Sequence, residues 1–221
     1  EGGLGSVVSR PFARAFTESS PHVKGGMIMT SWNSEVFYYV EHNGERQNYQ
    51  DAITGVTSGV TRVFHFDMVE GNETALDQTE TAIIPESMAR RLFGNESAMG
   101  KRLMSVETGN TLYTISGVFK DFPRNSSMRN IIYRQISPKE NYDAYGNNNY
   151  HFFFRLDDPA NIEDVKENFK KNFDATLQFG KDFTWESGGL DLRLTPLPEL
   201  HFLTNTSYDT MPNASRQTVR V

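Results

Sequence analysis

The stretch Thr81-Ala82-Ile83-Ile84-Pro85-Glu86-Ser87-Met88-Ala89-Arg90-Arg91-Leu92-Phe93-Gly94 carries the clearest local signals in the chain. Thr81 to Ile84 is a short β-branched run and reads as a strand leading into Pro85. Met88, Ala89, Leu92 and Phe93 follow at helical spacing and share one apolar face. Proline at the start and glycine at the end match the usual asymmetry of helix termini. Glu86 sits toward the positive end of the helix dipole, and Arg90 and Arg91 toward the negative end. The segment is therefore a strand followed at once by a short amphipathic helix.

Working downstream, Lys101–Val106 and Leu112–Phe119 read as two strands around a Glu107-Thr108-Gly109-Asn110 turn. Strict alternation would put Tyr113, Ile115 and Phe119 on one face and Leu112, Thr114, Ser116 and Val118 on the other. Asp121-Phe122-Pro123-Arg124-Asn125-Ser126 breaks the pattern, Asn130–Ile136 resumes it as a strand, and Asn141–Tyr150 is a polar loop of asparagine and tyrosine. His151–Leu156 alternates again, with Phe152, Phe154 and Leu156 on one face. Asp157-Asp158-Pro159 then caps a helix with the apolar stripe Ile162, Val165, Phe169, Phe173 and Leu177, closed by Gly180. Leu190, Leu192 and Leu194 mark a last strand, ended by Pro196 and Pro198, and His201–Val221 is polar and irregular. Upstream, Ser9-Arg10-Pro11 opens a helix with Phe12, Ala13 and Phe16 on one face, stopped by Ser19-Ser20-Pro21. Gly25–Trp32 and Val36–Val40 read as strands with an Asn33-Ser34 turn between them. Asn43-Gly44 is a hairpin dipeptide, and Tyr49–Val60 is weakly strand-like. Short strands with spaced helices and no regular strand–helix alternation indicate an α+β chain, with no internal repeat.

Composition narrows the function. The chain has 221 residues, one or two domains' worth, and no cysteine, which removes disulfides, thiolate metal sites and cysteine nucleophiles. Lysine and arginine total 22 against 28 acidic residues, a net charge of −6, which argues against a nucleic-acid surface. The longest unbroken aliphatic or aromatic run, Val36–Val40, is far short of the ~20 residues that span a bilayer. The chain as it stands is expected to be soluble, with no transmembrane or signal segment.

Candidate chemistry is sparse. His22, His42, His65, His151 and His201 show no metal-ligand spacing. Phe64-His65-Phe66-Asp67 could place His65 and Asp67 on one strand face, and His151 reads as a strand-end residue. No Gly-x-Ser-x-Gly elbow and no calcium loop occur. Gly25-Gly26 and Gly188-Gly189 lack a following Lys-Ser/Thr and read as turns. Asn-x-Ser/Thr triplets at Asn72, Asn95, Asn125, Asn205 and Asn213 fit an asparagine-rich composition. The residues alone describe an interacting α+β domain without a catalytic constellation. The loop containing Tyr142, Tyr145, Asn147 and Tyr150 has paratope-like composition and is the candidate partner surface, with a plain solvated loop as the alternative.

One resemblance goes further. The Thr81–Gly94 segment, with Pro85, Ala89, Leu92, Phe93 and Gly94, followed by Gly100 and Lys101, resembles a hallmark of the MacB-like periplasmic core domain of FtsX/MacB-type ABC transporter permeases. The strand ending at Gly117-Val118, then Asp121, Pro123, Asn125 and Ser126, is similar to the next part of that family pattern. Val63–Gly71 looks like its beginning, and Leu194–Leu197 with His201–Leu203 like its end. The likeness is densest from about residue 60 to 137.

The resemblance implies a two-lobed fold. A discontinuous βαβ-type porter-like lobe would span 1–50 and 148–221, and an inserted mixed α/β Sabre-like lobe 51–147. It implies a non-catalytic domain on the periplasmic face of the bacterial inner membrane, excised from between two transmembrane helices that would lie before Glu1 and after Val221. No cofactor is expected in this domain, since ATP would bind a separate nucleotide-binding domain or subunit. Implied partners are that ABC ATPase, reached through the membrane part, and a periplasmic adaptor, outer-membrane channel, lipoprotein or envelope enzyme. The full permease would pair in the membrane, with the isolated domain monomeric. The implied task is transmission of ATP-driven helix motion, through a rigid body whose core is the Ile162–Leu177 stripe and the Phe152/Phe154 strand. The competing readings are a free-standing secreted or lipid-anchored binding protein, a sensor ectodomain, and a secreted hydrolase.

Overall fold

The computed structural model describes residues 7–32, 34–126 and 128–186 and, as backbone alone, 194–197 and 200–203. In chain order the elements are β1 (Val7–Val8), α1 (Arg10–Glu18), β2 (Val23–Thr30), β3 (Ser34–His42), β4 (Glu45–Val56), α2 (Val60–Val63), β5 (Met68–Glu70), β6 (Thr81–Pro85), α3 (Glu86–Phe93), β7 (Arg102–Ser105), β8 (Thr111–Phe119), β9 (Ile132–Gln135), β10 (Tyr150–Leu156), α4 (Ile162–Asn172), α5 (Ala175–Phe179), β11 (Leu194–Leu197) and β12 (Leu200–Leu203). The fold is mixed α and β with sheet-rich cores, as the sequence indicates.

Two compact units emerge, the first discontinuous in sequence. They divide between Ser31 and Trp32 and between Ser137 and Pro138, not near residues 50 and 148. The reason is pairing. β3 zips onto β4 from Ser34↔Ile53 to His42↔Glu45, and the end of β4 pairs with β9, so residues 32–50 go with the second unit. The 138–147 stretch is anchored to α1 and goes with the first.

In the first unit, β10 lies antiparallel to β2 on one edge and to β1 and β12 on the other, with β11 beyond β12. α1 starts at the Ser9 cap, whose Oγ accepts from Phe12 N at 3.2 Å. Its Phe12 and Phe16 are buried against Phe152 and Phe154 of β10 and Phe169 of α4, with ring centroids 4.8–5.6 Å apart. Gly26 lies inside β2 and is not a turn. A Cβ there would meet Thr17 Oγ1 at 2.3 Å and Phe152 at 3.1 Å, so glycine is what admits this close packing.

The single helix expected over Ile162–Leu177 is two. α4 stops at Phe173, which is extended at φ −94° and ψ 122°, and Asp174 caps α5 by accepting from Thr176 N at 3.1 Å. The break lets Phe173 stack on Phe169 at 4.8 Å, while Leu177 turns outward and is 57 % exposed. Pro196 lies within β11, where pairing on one side tolerates the missing N–H, and Leu200–Leu203 forms a strand where irregular chain was expected. The readings at Asn33, Leu190, Leu192, Gly188-Gly189, Pro198, Asn205, Asn213 and 204–221 lie outside the described residues.

In the second unit the ladders return to their starting point: β4 to β3, β7, β8, β6, β9 and back to β4. Only β4–β9 and β6–β8 are parallel. Asn43 and Gly44, at φ 52° and 79°, make the two-residue turn of the β3–β4 hairpin. Within β8 the register slips by one residue between the rungs Ala82↔Ile115 and Ile83↔Gly117. This bulge overturns the strict alternation expected for the strand. Ile115 and Val118 share one core with Tyr38, Val40, Ala82, Ile84, Leu103 and Ile132. Phe119 faces the other way, into Phe66, Phe122 and Tyr133 at 5.0–5.8 Å.

Candidate functional site

The segment that decided the sequence reading is a packed corner of the second unit. Pro85 ends β6 and is the N-cap of α3, with extended backbone at φ −70° and ψ 152°. It has no capping side chain of its own, and the cap comes from far along the chain. Asp121 Oδ1, just after β8, accepts from Ser87 N at 3.0 Å. Met88, Ala89, Leu92 and Phe93 bury one face of α3 in the cluster that holds Ile84 and Val118. Gly94 terminates the helix at φ 62°, its N–H donating to Arg90 O at 2.9 Å. Gly100, at φ 74°, donates to Ile115 O at 2.8 Å, tying the loop back to β8. Lys101 places its ammonium 4.6 Å from the Phe93 ring centre and pairs with Glu96. That pairing holds the Glu96 carboxyl below its ordinary range, chiefly through the hydrogen bond from Lys101. A Cβ on Gly117 would lie 2.6 Å from Met68 Cε and 3.0 Å from Ile83 Cγ2, so the glycine lets β5 and β6 close on β8. Ser126 Oγ accepts from Met128 N at 3.1 Å, whereas Pro123 and Asn125 are exposed in the turn. In the structure these residues act as joints of a scaffold.

A cleft of about 330 Å³ opens beside this corner, lined by Asp51, Ala52, Pro85, Ser87, Met88, Arg91, Asn130 and Ile131. The Asp51, Arg91 and Asn130 side chains bond to the protein itself. Arg91 Nη2 donates to both Asp51 oxygens at 2.7 and 2.8 Å, and the Tyr38 hydroxyl donates to Asp51 at 2.6 Å. Burial, then the hydrogen bond to Asp51, pushes the Tyr38 phenol well above its ordinary value. Asn130 brackets the Phe122 backbone, accepting from its N–H at 2.7 Å and donating to its C=O at 3.0 Å. The Asp51–Arg91 link has no signal in the sequence, because 40 residues separate the partners and no local pattern joins them.

In the first unit the candidate partner loop is strapped to α1. Arg10 donates to Glu140 O at 2.6 Å, Arg14 donates to Tyr142 O at 3.1 Å and pairs with Asp143 at 3.3 Å. The Arg14 guanidinium lies 3.7 Å from the centre of the Tyr142 ring, which remains 46 % exposed. Tyr145 is half-buried, 6.4 Å from Phe173, and Asn147 is half-buried in the loop. Tyr150 is a correction: it is the first residue of β10, 1 % exposed, and its hydroxyl accepts from Asn141 Nδ2 at 2.8 Å. It secures the loop from below and offers no surface.

The histidines also resolve. His65 and Asp67 are exposed and lie between elements, not on a common strand. His151 is buried in β10, opposite Val7 and Met29. His22, which showed no partner in the sequence, lies 2.8 Å from Asp157. Hydrogen bonds from His22 and Asn161 bring the Asp157 carboxyl down to about 2, and Asp158 caps the following turn as expected. Among the described residues, no group of three or more His, Asp or Glu could hold a metal ion, and no helix is long and apolar enough to cross a membrane.

Similarity to known proteins agrees with this scaffold. No curated protein matches the sequence. Among solved structures, a domain of a Porphyromonas gingivalis protein described as a permease superposes with a TM-score of 0.63 at 24% identity, covering 91% of this chain and 84% of that one. The extracellular domain of the ABC-type transporter YknZ from Gram-positive bacteria gives 0.47 at 16% identity, with 76% and 83% covered. The periplasmic region of MacB from Actinobacillus actinomycetemcomitans gives 0.48 at 14% identity, with 80% and 77% covered. Residues 4–172 match the family described as the MacB-like periplasmic core domain. With residues 4–172, more than half its length, matched, this chain belongs to the MacB-like periplasmic core domain family.

Proposed function

We propose that this chain is the extracytoplasmic domain of an ABC transporter permease, and that it passes ATP-driven displacement of membrane helices to export or to an envelope partner. Family membership over residues 4–172 is the observation that carries the reading. Interlocked aromatic cores favour it physically, because close-packed interiors deform little and so transmit displacement. The domain does no chemistry of its own and holds no cofactor; ATP binds a separate nucleotide-binding domain or subunit. It lies on the periplasmic face of the inner membrane, in a paired permease, and is monomeric when isolated. The strapped loop around Tyr142, Tyr145 and Asn147 is the surface offered to an adaptor, channel, lipoprotein or envelope enzyme.

The parent gene supplies the first test. Hydrophobic spans directly before Glu1 and after Val221, beside an ABC ATPase gene, are expected. Continuous polar sequence on both sides, or a downstream kinase or cyclase module, overturns the reading in favour of a secreted binding protein or a sensor. The second test uses the full permease with its ATPase in a bilayer. Spin labels at the exposed Glu167 of α4 in the two copies should change separation when ATP binds. Unchanged separation during demonstrated ATP turnover removes the transmission reading.

A further inference from the structure

The β3–β4 hairpin turns in two residues. Asn43 and Gly44 form the tip beyond the rung His42↔Glu45, both exposed and both left-handed, at φ 52° and 79°. Of all the asparagines in the chain, Asn43 alone is followed by glycine. A two-residue hairpin turn favours this dipeptide, because asparagine tolerates the left-handed region and glycine enters it without steric cost. The same dipeptide has a second chemistry. The side-chain carbonyl carbon of an asparagine can close a five-membered ring with the backbone nitrogen of the next residue. A Cβ on that next residue crowds the approach, and glycine has none.

The surroundings of the tip leave that approach open. Among the described residues, neither the Asn43 side chain nor the Gly44 N–H has a hydrogen-bond partner. A Cβ built on Gly44 would meet nothing within 4 Å, so the ring has room. Other asparagines are held. Asn130 brackets the Phe122 backbone, Asn141 Nδ2 donates to the Tyr150 hydroxyl at 2.8 Å, Asn161 Nδ2 to Asp157 Oδ1 at 3.1 Å, and Asn172 Nδ2 to Asn168 O at 2.8 Å. A side chain engaged in this way must give up its bond before it turns to its own backbone. Ring closure at Asn43 asks the turn to leave its left-handed pair of dihedrals, and an exposed loop tip is where such local opening costs least.

We propose that Asn43 is a self-modification site: in the folded chain the Gly44 nitrogen attacks Asn43 Cγ, and the asparagine becomes aspartate or isoaspartate without an enzyme. The N–Cγ bond forms, the Cγ–Nδ2 bond breaks, and ammonia leaves with the proton given up by Gly44 N. Water then opens the five-membered succinimide at either of its carbonyls. One opening restores the ordinary backbone with an aspartate; the other leaves an isoaspartate, whose backbone is longer by one carbon. Nothing is oxidised or reduced. Either product adds one negative charge to a chain whose net charge is −6. The aspartate sits between Glu41 and Glu45 and keeps the turn, since it tolerates the left-handed region as asparagine does. The isoaspartate lengthens a connection that the rung His42↔Glu45 needs short, so it opens the tip.

The test ages the unsubstituted chain in mildly alkaline buffer under native conditions. Samples taken over time are digested and sequenced by tandem mass spectrometry, and an isoaspartyl methyltransferase serves as an independent probe for isoaspartate. Asn43 should be the first asparagine to gain one mass unit, about tenfold or more ahead of any other, with methyl acceptance rising in step. Conversion of another asparagine first overturns the proposal. So does an Asn43 that stays intact over a period in which the urea-unfolded chain converts, because the turn then protects the residue. Gly44→Asn supplies a Cβ and still accepts the left-handed region, so it should slow conversion at Asn43 by about tenfold or more. An unchanged rate in that variant also overturns the proposal, since the attack would then not depend on the open glycine.

Discussion

The two units hold themselves together by different means. In the first, six phenylalanines at positions 12, 16, 152, 154, 169 and 173 interlock from three distant stretches of chain. In the second, six strands close a ring of hydrogen-bonded ladders, and one short helix seals an aliphatic cluster through residues set by proline and glycine. The first unit depends on contacts that no local signal announces. The second depends on backbone punctuation visible along the sequence. In the first unit β10 carries both β1 and β12 on one edge, whereas the ring of the second returns to its own start.

The largest effect that separates the units is expected from Phe16→Ala. Phe16 is fully buried against three rings, and truncating such a side chain costs about 3–5 kcal/mol. Hydrogen exchange should show β2, β10 and α4 losing protection while β6, β8 and β9 keep theirs. Equal loss in both sets would mean that the two regions share one stability. Gly71→Ala should reverse the pattern. Gly71 sits at φ 78°, and a Cβ would lie 2.7 Å from the Ser116 carbonyl oxygen, a backbone atom that cannot swing aside. A cost of about 1–3 kcal/mol is expected, read in β5, β6 and β8, with the first unit unchanged. A variant as stable as the parent would show that this corner tolerates an added side chain.

The smallest effect concerns acid. Asp157 titrates near 2, below its ordinary value of 3.8, because the hydrogen bond from His22 favours the ionised form. Its contribution is fully present above the ordinary value and is lost as pH falls from there through about 2. The first unit should therefore weaken across that window more in the parent than in Asp157→Asn, as followed by Trp185 fluorescence in a Trp32→Phe background. Parallel acid curves would show that the half-exposed contact adds nothing to stability.

The local features that could be read in the sequence share a physical cause. Pro85 and Gly94 bound α3, Asn43-Gly44 turns the β3–β4 hairpin, and Ser9 caps α1, because each acts within a few residues of itself. The errors fall where a distant contact prevailed. Phe173 leaves the helix to stack on Phe169, which splits the Ile162–Leu177 stripe and sends Leu177 into solvent. The slip in β8 turns Phe119 toward Phe66 and Tyr133, away from Ile115. Tyr150 belongs by composition to a polar loop and by position to the core. The corner from Pro85 to Gly94 is legible because its residues occur in order along the chain. The Asp51–Arg91 link, the Asp121 cap and the His22–Asp157 pair were not, since each joins residues more than 30 positions apart.

By itself the sequence determined the α+β class, the turns, the ends of the short helices and the family likeness, since dihedral preference, capping and apolar spacing act locally. Only the tertiary structure decided where the chain divides into units, which face each core strand presents, and that β1 and β12 share one edge of β10. Those outcomes depend on which distant strands pair and which side chains fill the same space, and neither is encoded within any single stretch of the chain.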